Sequence, residues 1–126
     1  MADFKPPVGS ITWRDLTVAD AEGIRDFYKE VVGWKSEPVN MGEYDDYNMN
    51  SPVTNETAAG ICHSRGSNSK IPPVWLIYIT VENLEKSLEN CNKLGGKIID
   101  GPKKIGESSY AIIQDPAGAV CALFQH

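Results

Sequence analysis

Residues 58–66 read AAGICHSRG, and four consecutive positions carry a thiol (Cys62), an imidazole (His63), a hydroxyl (Ser64) and a guanidinium (Arg65). A thiol and an imidazole can act as nucleophile and base when the imidazole draws off the thiol's proton. Neighbours on an extended strand point to opposite faces, however, so Cys62 and His63 cannot serve each other there. Cys62 then reads as a small buried residue, or as a reactive thiol if another element supplies its partner. Asp15, in the run ITWRDLTV, is a second candidate: in an apolar cup its carboxyl would be a general base or hold a ligand amine, and otherwise it is a structural partner for a backbone amide or a base. Tyr78 offers a phenol to a substrate oxygen, although a tyrosine in a strand usually packs. Glu107, in IGESS, reads as a solvated loop residue that could reach over a site. Asp45-Asp46 lacks the remaining oxygen ligands of a calcium loop and reads as the polar rim of a hairpin.

The elements that must position these groups follow from local pattern. SITWRDLTV (10–18) alternates and is β-branched, which predicts a strand. Asp20 stands at a helix N-cap, Ile24, Phe27, Tyr28 and Val31 recur as one buried stripe, and Gly33 ends the helix. Extended runs follow at 34–39, 44–50 and 57–63, and SRGSNSKIPP (64–73) reads as a connector. The programme then repeats. VWLIYITV (74–81) is a strand with both faces apolar, Asn83 caps a helix with the stripe Leu84, Leu88, Cys91 and Leu94, and Gly95-Gly96 ends it. Extended runs at 97–100, 108–114 and 119–124 complete the chain, the last two joined by the turn Asp115-Pro116-Ala117-Gly118.

Register confirms the repetition. Gly96 lies 63 positions after Gly33, and the same offset pairs Thr17 with Thr80, Val18 with Val81 and Glu22 with Glu85. Two βαβββ modules, about 10–63 and 74–125, in a single domain spanning 1–126 explain one ungapped offset.

Bulk properties bound the function. The 126 residues suit one compact domain, and the net charge of −5 with scattered Lys and Arg argues against nucleic acid and anionic membrane as partners. Neither a signal-peptide core nor a run long enough to span a bilayer is visible, so the expected compartment is the cytoplasm. Cys62, Cys91 and Cys121 form neither a CxxC pair nor an even set, which points to reduced thiols.

The stretches DFYKEVVGW, GGKIIDGP and DPAGAVCALFQ resemble the vicinal oxygen chelate superfamily of glyoxalases, extradiol dioxygenases and fosfomycin and bleomycin resistance proteins. The resemblance covers residues 10–125 and is nearest to glyoxalase-like "hydroxylase" members. It implies an α+β fold in which two tandem βαβββ modules build mixed, curved sheets around a cleft, helices outside, often as a homodimer. In metal-dependent members, His, Gln or Glu on the first and last strand of each module hold one divalent ion. Carried over by position, those four places fall on Trp13, Leu76, Ala122 and Gly60, with Ala59 the gap-free alternative to Gly60. None of these side chains binds metal, so neither a metal nor another cofactor is expected. A slip of one residue would instead turn Thr12 or Arg14 inward.

Alternation places Ile11, Asp15 and Thr17 with Trp13, Tyr78 and Thr80 with Leu76, Val120 and Phe124 with Ala122, and Cys62 with Gly60. Trp13, Gly60, Cys62, Leu76, Tyr78, Ala122 and Phe124 are therefore the expected ligand-binding residues of an apolar, aromatic cleft, with Asp15 its main charge and Asp15 and Tyr78 its catalytic candidates. The expected function is metal-free binding of a small apolar or aromatic molecule. The alternative is an enzyme of lyase, isomerase or dioxygenase type, either metal-free through Asp15 and Tyr78 or with a metal site outside these positions.

Overall fold

The computed structural model describes residues 5–126. Their elements run β1 (Ile11–Val18), α1 (Ala21–Val32), β2 (Lys35–Asn40), β3 (Asp45–Asn50), β4 (Thr57–His63), β5 (Trp75–Thr80), α2 (Leu84–Lys93), β6 (Lys97–Ile105), β7 (Ser108–Gln114) and β8 (Val120–Gln125). This is βαβββ twice, the mixed α+β fold that the repeat predicts. The connector carries a single 3-10 turn, Gly66–Asn68. Two compact units divide the chain, one of Arg14–Trp75 and one of residues 5–13 with 76–126.

In the first unit the strands lie in the order β2-β3-β4-β1, with β1 and β4 parallel and the other pairs antiparallel. Asp20 caps α1 by accepting from Gly23 N at 3.0 Å, and Gly33 closes it in the left-handed conformation, φ 86°. One face of the sheet packs on the helix through Tyr47, Met49 and Ile61 against Ala21, with Val18, Ile24, Tyr28 and Trp34 around them. Trp75 joins this cluster, its Nε1 donating to the Tyr28 hydroxyl at 3.2 Å. The expected stripe on α1 is only half right. Ile24 and Tyr28 face the sheet, but Phe27 and Val31 are 53% and 63% exposed, because the helix rests on the sheet along a line centred on Ala21 and Tyr28.

In the second unit the order is β5-β8-β7-β6, again with one parallel pair, β5 with β8. Asn83 Oδ1 accepts from Lys86 N at 3.1 Å, and Gln125 Oε1 accepts from Leu84 N at 2.7 Å, so two otherwise orphaned donors at the start of α2 are satisfied. Leu84 and Leu88 bury against Ala111 and Leu123, flanked by Ile79, Val81 and Ile113. Leu94 leaves the expected stripe: it sits at the helix C-cap and is 76% exposed. β6 outruns its expected end at Asp100 and continues to Ile105, because β7 offers a hydrogen-bonding partner as far as Ser108. The register shifts around Asp100, and Gly101 holds φ 96° where a Cβ would stand 3.0 Å from Tyr110 O.

Candidate functional site

Each sheet has one face against its helix and one turned away from it, and the strand pairings sort the candidate residues between them. In the first unit Asp15 pairs with Gly60 and Thr17 with Cys62, all on the face away from α1, whereas Leu16, Val18 and Ile61 point toward the helix. Ala59 pairs with core Met49, so Gly60 and not Ala59 occupies the away-facing position on β4. The same parity puts Trp13 with Asp15 and leaves Arg14 with Leu16, which removes the one-residue slip.

This face is not the apolar wall that alternation of apolar types implied. Asp15 and Asp46 are both buried, at 9% and 7% exposure, together with Thr17 and Asn50. Asp46 is therefore no hairpin rim: its Oδ1 accepts the backbone N–H of His63 at 2.9 Å, and its carboxylate also takes a hydrogen bond from the Cys62 thiol. Burial first, then the charges of Asp15 and Asp46, push the Cys62 thiol far above the ordinary cysteine range. This environment works against the thiolate that a nucleophile needs. His63 faces the helix side, where its ring meets Tyr44 edge-on at 5.3 Å, and Arg65 stacks on Tyr44 at 4.2 Å. The four reactive groups of AAGICHSRG are dispersed.

The second unit carries the aromatic face. Tyr78 pairs with Ala122 and Thr80 with Phe124, and Leu76 follows Tyr78 by alternation. Leu76 and Ala122 are fully buried, whereas Tyr78 and Phe124 are half-buried with ring centroids 6.5 Å apart. Two rings absent from the expected set join them: Tyr110, cross-strand from Phe124, and His126, 4.6 Å from the Phe124 ring and 3.4 Å from Thr80 Oγ1. Tyr110 could have been found by folding β7 back on β8 about the Asp115–Gly118 turn. Asp46 could have been found from its alternation with core Tyr47 and Met49. Asp100, also buried, is held by Lys103 Nζ at 2.6 Å.

A groove of about 750 Å³ lies elsewhere, between α2 and β6, with Glu82, Glu85 and Glu89 on one wall and Lys103 and Lys104 on the other. A smaller one of about 310 Å³ opens beside Phe27, Tyr28 and Trp75 in the first unit.

The chain matches the family model described as Glyoxalase/Bleomycin resistance protein/Dioxygenase superfamily over residues 9–123, and it belongs to that superfamily. Among curated proteins it is 28% identical over 123 residues to "Putative glyoxylase CFP32" of Mycobacterium tuberculosis, covering 93% of this chain and 46% of that protein. It is 24% identical to "Anthracycline biosynthesis protein DnrV" of Streptomyces peucetius, covering 99% and 49%. The chain therefore spans about half the length of these relatives. Among solved structures, a superfamily member from Vibrio splendidus superposes with TM-score 0.60 at 11% identity, covering 93% of this chain and all of that one. Methylmalonyl-CoA epimerase of Streptomyces coelicolor, in complex with 2-nitronate-propionyl-CoA, gives 0.53 at 12%, covering 94% and 98%. At these identities the likeness is one of fold.

The four positions that the resemblance assigns to the superfamily's metal ligands hold an indole (Trp13), a bare backbone (Gly60), an isobutyl group (Leu76) and a methyl (Ala122), and such side chains do not fit a divalent ion. Among the described residues, no three His, Cys, Asp or Glu side chains are grouped so as to hold a metal elsewhere.

Proposed function

We propose that the chain binds a small apolar or aromatic molecule, without a metal, on the face of its second sheet turned away from α2. Leu76, Tyr78, Ala122 and Phe124 form this ligand face, while Trp13 on β1 and Gly60 and Cys62 on β4 lie on the face of the first unit's strands turned away from α1 and are offered as further ligand-binding residues. The observation that carries the reading is the aromatic set at Tyr78 and Phe124, two half-buried rings beside the fully buried Leu76 and Ala122. Apolar surface with a few polar tips is the usual lining of a small-molecule site. In this reading the protein is a homodimer, as the family resemblance implies. Its three unpaired cysteines suit a reducing cytoplasm.

A thermal-shift screen of aromatic and aliphatic compounds tests it. Hits should lose their shift in Phe124→Ala and keep it in Val31→Ala; a broad panel without a hit, or hits indifferent to Phe124, overturns the reading. Retention of one Zn, Ni, Fe or Mn per chain after incubation and desalting overturns its metal-free part. Light scattering of the purified protein checks the dimer.

A second reading, a metal-free enzyme using Asp15 and Tyr78, is favoured by the burial of Asp15, which shares its face with Thr17 and Cys62. Product formation from a bound hit, abolished in Asp15→Asn, would establish it; a hit recovered unchanged speaks against it.

A further inference from the structure

The rings of the second sheet are organised around Phe124. Tyr110 lies nearly parallel to it, 15° between planes with centroids 6.4 Å apart, and Tyr78 meets it at 66°. Tyr110 and Phe124 are direct cross-strand partners on β7 and β8, so the sheet itself sets their alignment. Gly101 reinforces it: the β6 backbone passes so close to Tyr110 O that a Cβ there would stand 3.0 Å away.

Resting on the binding reading above, we propose that this parallel pair makes the site selective for planar, conjugated ring systems over saturated rings of the same size. Tyr110 is then the specificity-determining residue. Burial of apolar area alone does not distinguish a flat ring from a puckered one of equal surface. Stacking does: the ring quadrupole rewards offset-parallel and edge-on contacts beyond the area they bury. A flat ligand extends the stack by lying parallel to the aligned rings and presents its own edge or face to Tyr78. A puckered ring has axial hydrogens on both sides, so few of its carbons reach the about 3.5–4.0 Å spacing at which dispersion is strongest. The Tyr110 ring carries the selectivity, and its hydroxyl is dispensable for it.

Calorimetric titration of the full chain with 2-naphthol and with decahydro-2-naphthol, which share one carbon skeleton and one hydroxyl, tests this. The expected result is about tenfold or greater preference for 2-naphthol. In Tyr110→Leu the two affinities should converge to within about threefold by loss of 2-naphthol binding, while Tyr110→Phe keeps the preference. If Tyr110→Leu does not fold, Phe124→Leu serves as the second variant with the same expectation. Equal affinities in the unmodified protein, or a preference that survives in the folded leucine variant, overturn the selectivity and leave the binding reading standing. Binding of neither probe overturns the selectivity, and the broad compound panel decides the binding reading separately.

Discussion

Asp46 Oδ1 accepts the backbone N–H of His63 at 2.9 Å, one step beyond the last backbone pairing of β3 with β4, Tyr47 with Ile61. A buried side chain thus satisfies a strand amide where the backbone partners run out. Asp46→Ala should cost about 1–3 kcal/mol in urea denaturation, since it orphans that amide. Asp46→Asn keeps an oxygen acceptor and should lose less than half as much. Equal losses would mean that charge and not the acceptor matters.

The Cys62 thiol makes stability depend on pH. An unfolded cysteine titrates near 8.5, and in the folded protein burial and the two carboxylates raise it. The contribution is therefore full below about pH 8.5 and is lost as pH climbs from there toward the folded value. Melting temperature should fall more steeply above about pH 8.5 in the unmodified protein than in Cys62→Ala. Parallel profiles would refute the coupling. Cys62 should also react with iodoacetamide at neutral pH at least about tenfold more slowly than free cysteine, read by peptide mass mapping.

Exposure separates residues that look alike in sequence. Val31→Ala should change stability by no more than about 0.5 kcal/mol, because the side chain is largely in water. Met49→Ala should cost about 2–5 kcal/mol, because the side chain is fully buried between β3 and α1 and its removal leaves a cavity. Chemical denaturation of the two variants side by side decides it.

Gly101→Ala should destabilise by about 1–3 kcal/mol, for its φ of 96° is unfavourable to any side chain and its neighbours there are Tyr110 O and Ala111 Cα, backbone atoms that cannot rotate aside. The loss should concentrate in faster amide exchange at β6 and β7, and uniform exchange across the chain would contradict it.

Much of this protein was legible before any coordinates. Asp20, Gly33 and Asn83 act within one helical turn of where they stand, so their roles are written in a few adjacent residues. The alternation that groups Tyr78 with Leu76, and Asp15 with Thr17, is equally local. Asp46 was misread as a hairpin's rim and Tyr110 was missed because their importance comes from neighbours far along the chain, His63 for the first and Phe124 for the second; His126 was missed although Phe124 is only two residues away. Phe27, Val31 and Leu94 were misread as buried because a helical period tells which residues share a stripe and not where that stripe meets a sheet.

The sequence by itself determined the double βαβββ programme and the alternation that sorts each strand's residues between two faces, since residue chemistry and strand periodicity need no third dimension. Only the tertiary structure decided that Asp15 and Asp46 share a buried face with Cys62, and that Tyr110 lies parallel to Phe124. Both depend on which strand lies beside which and in what register, and burial and mutual orientation are properties of that packing.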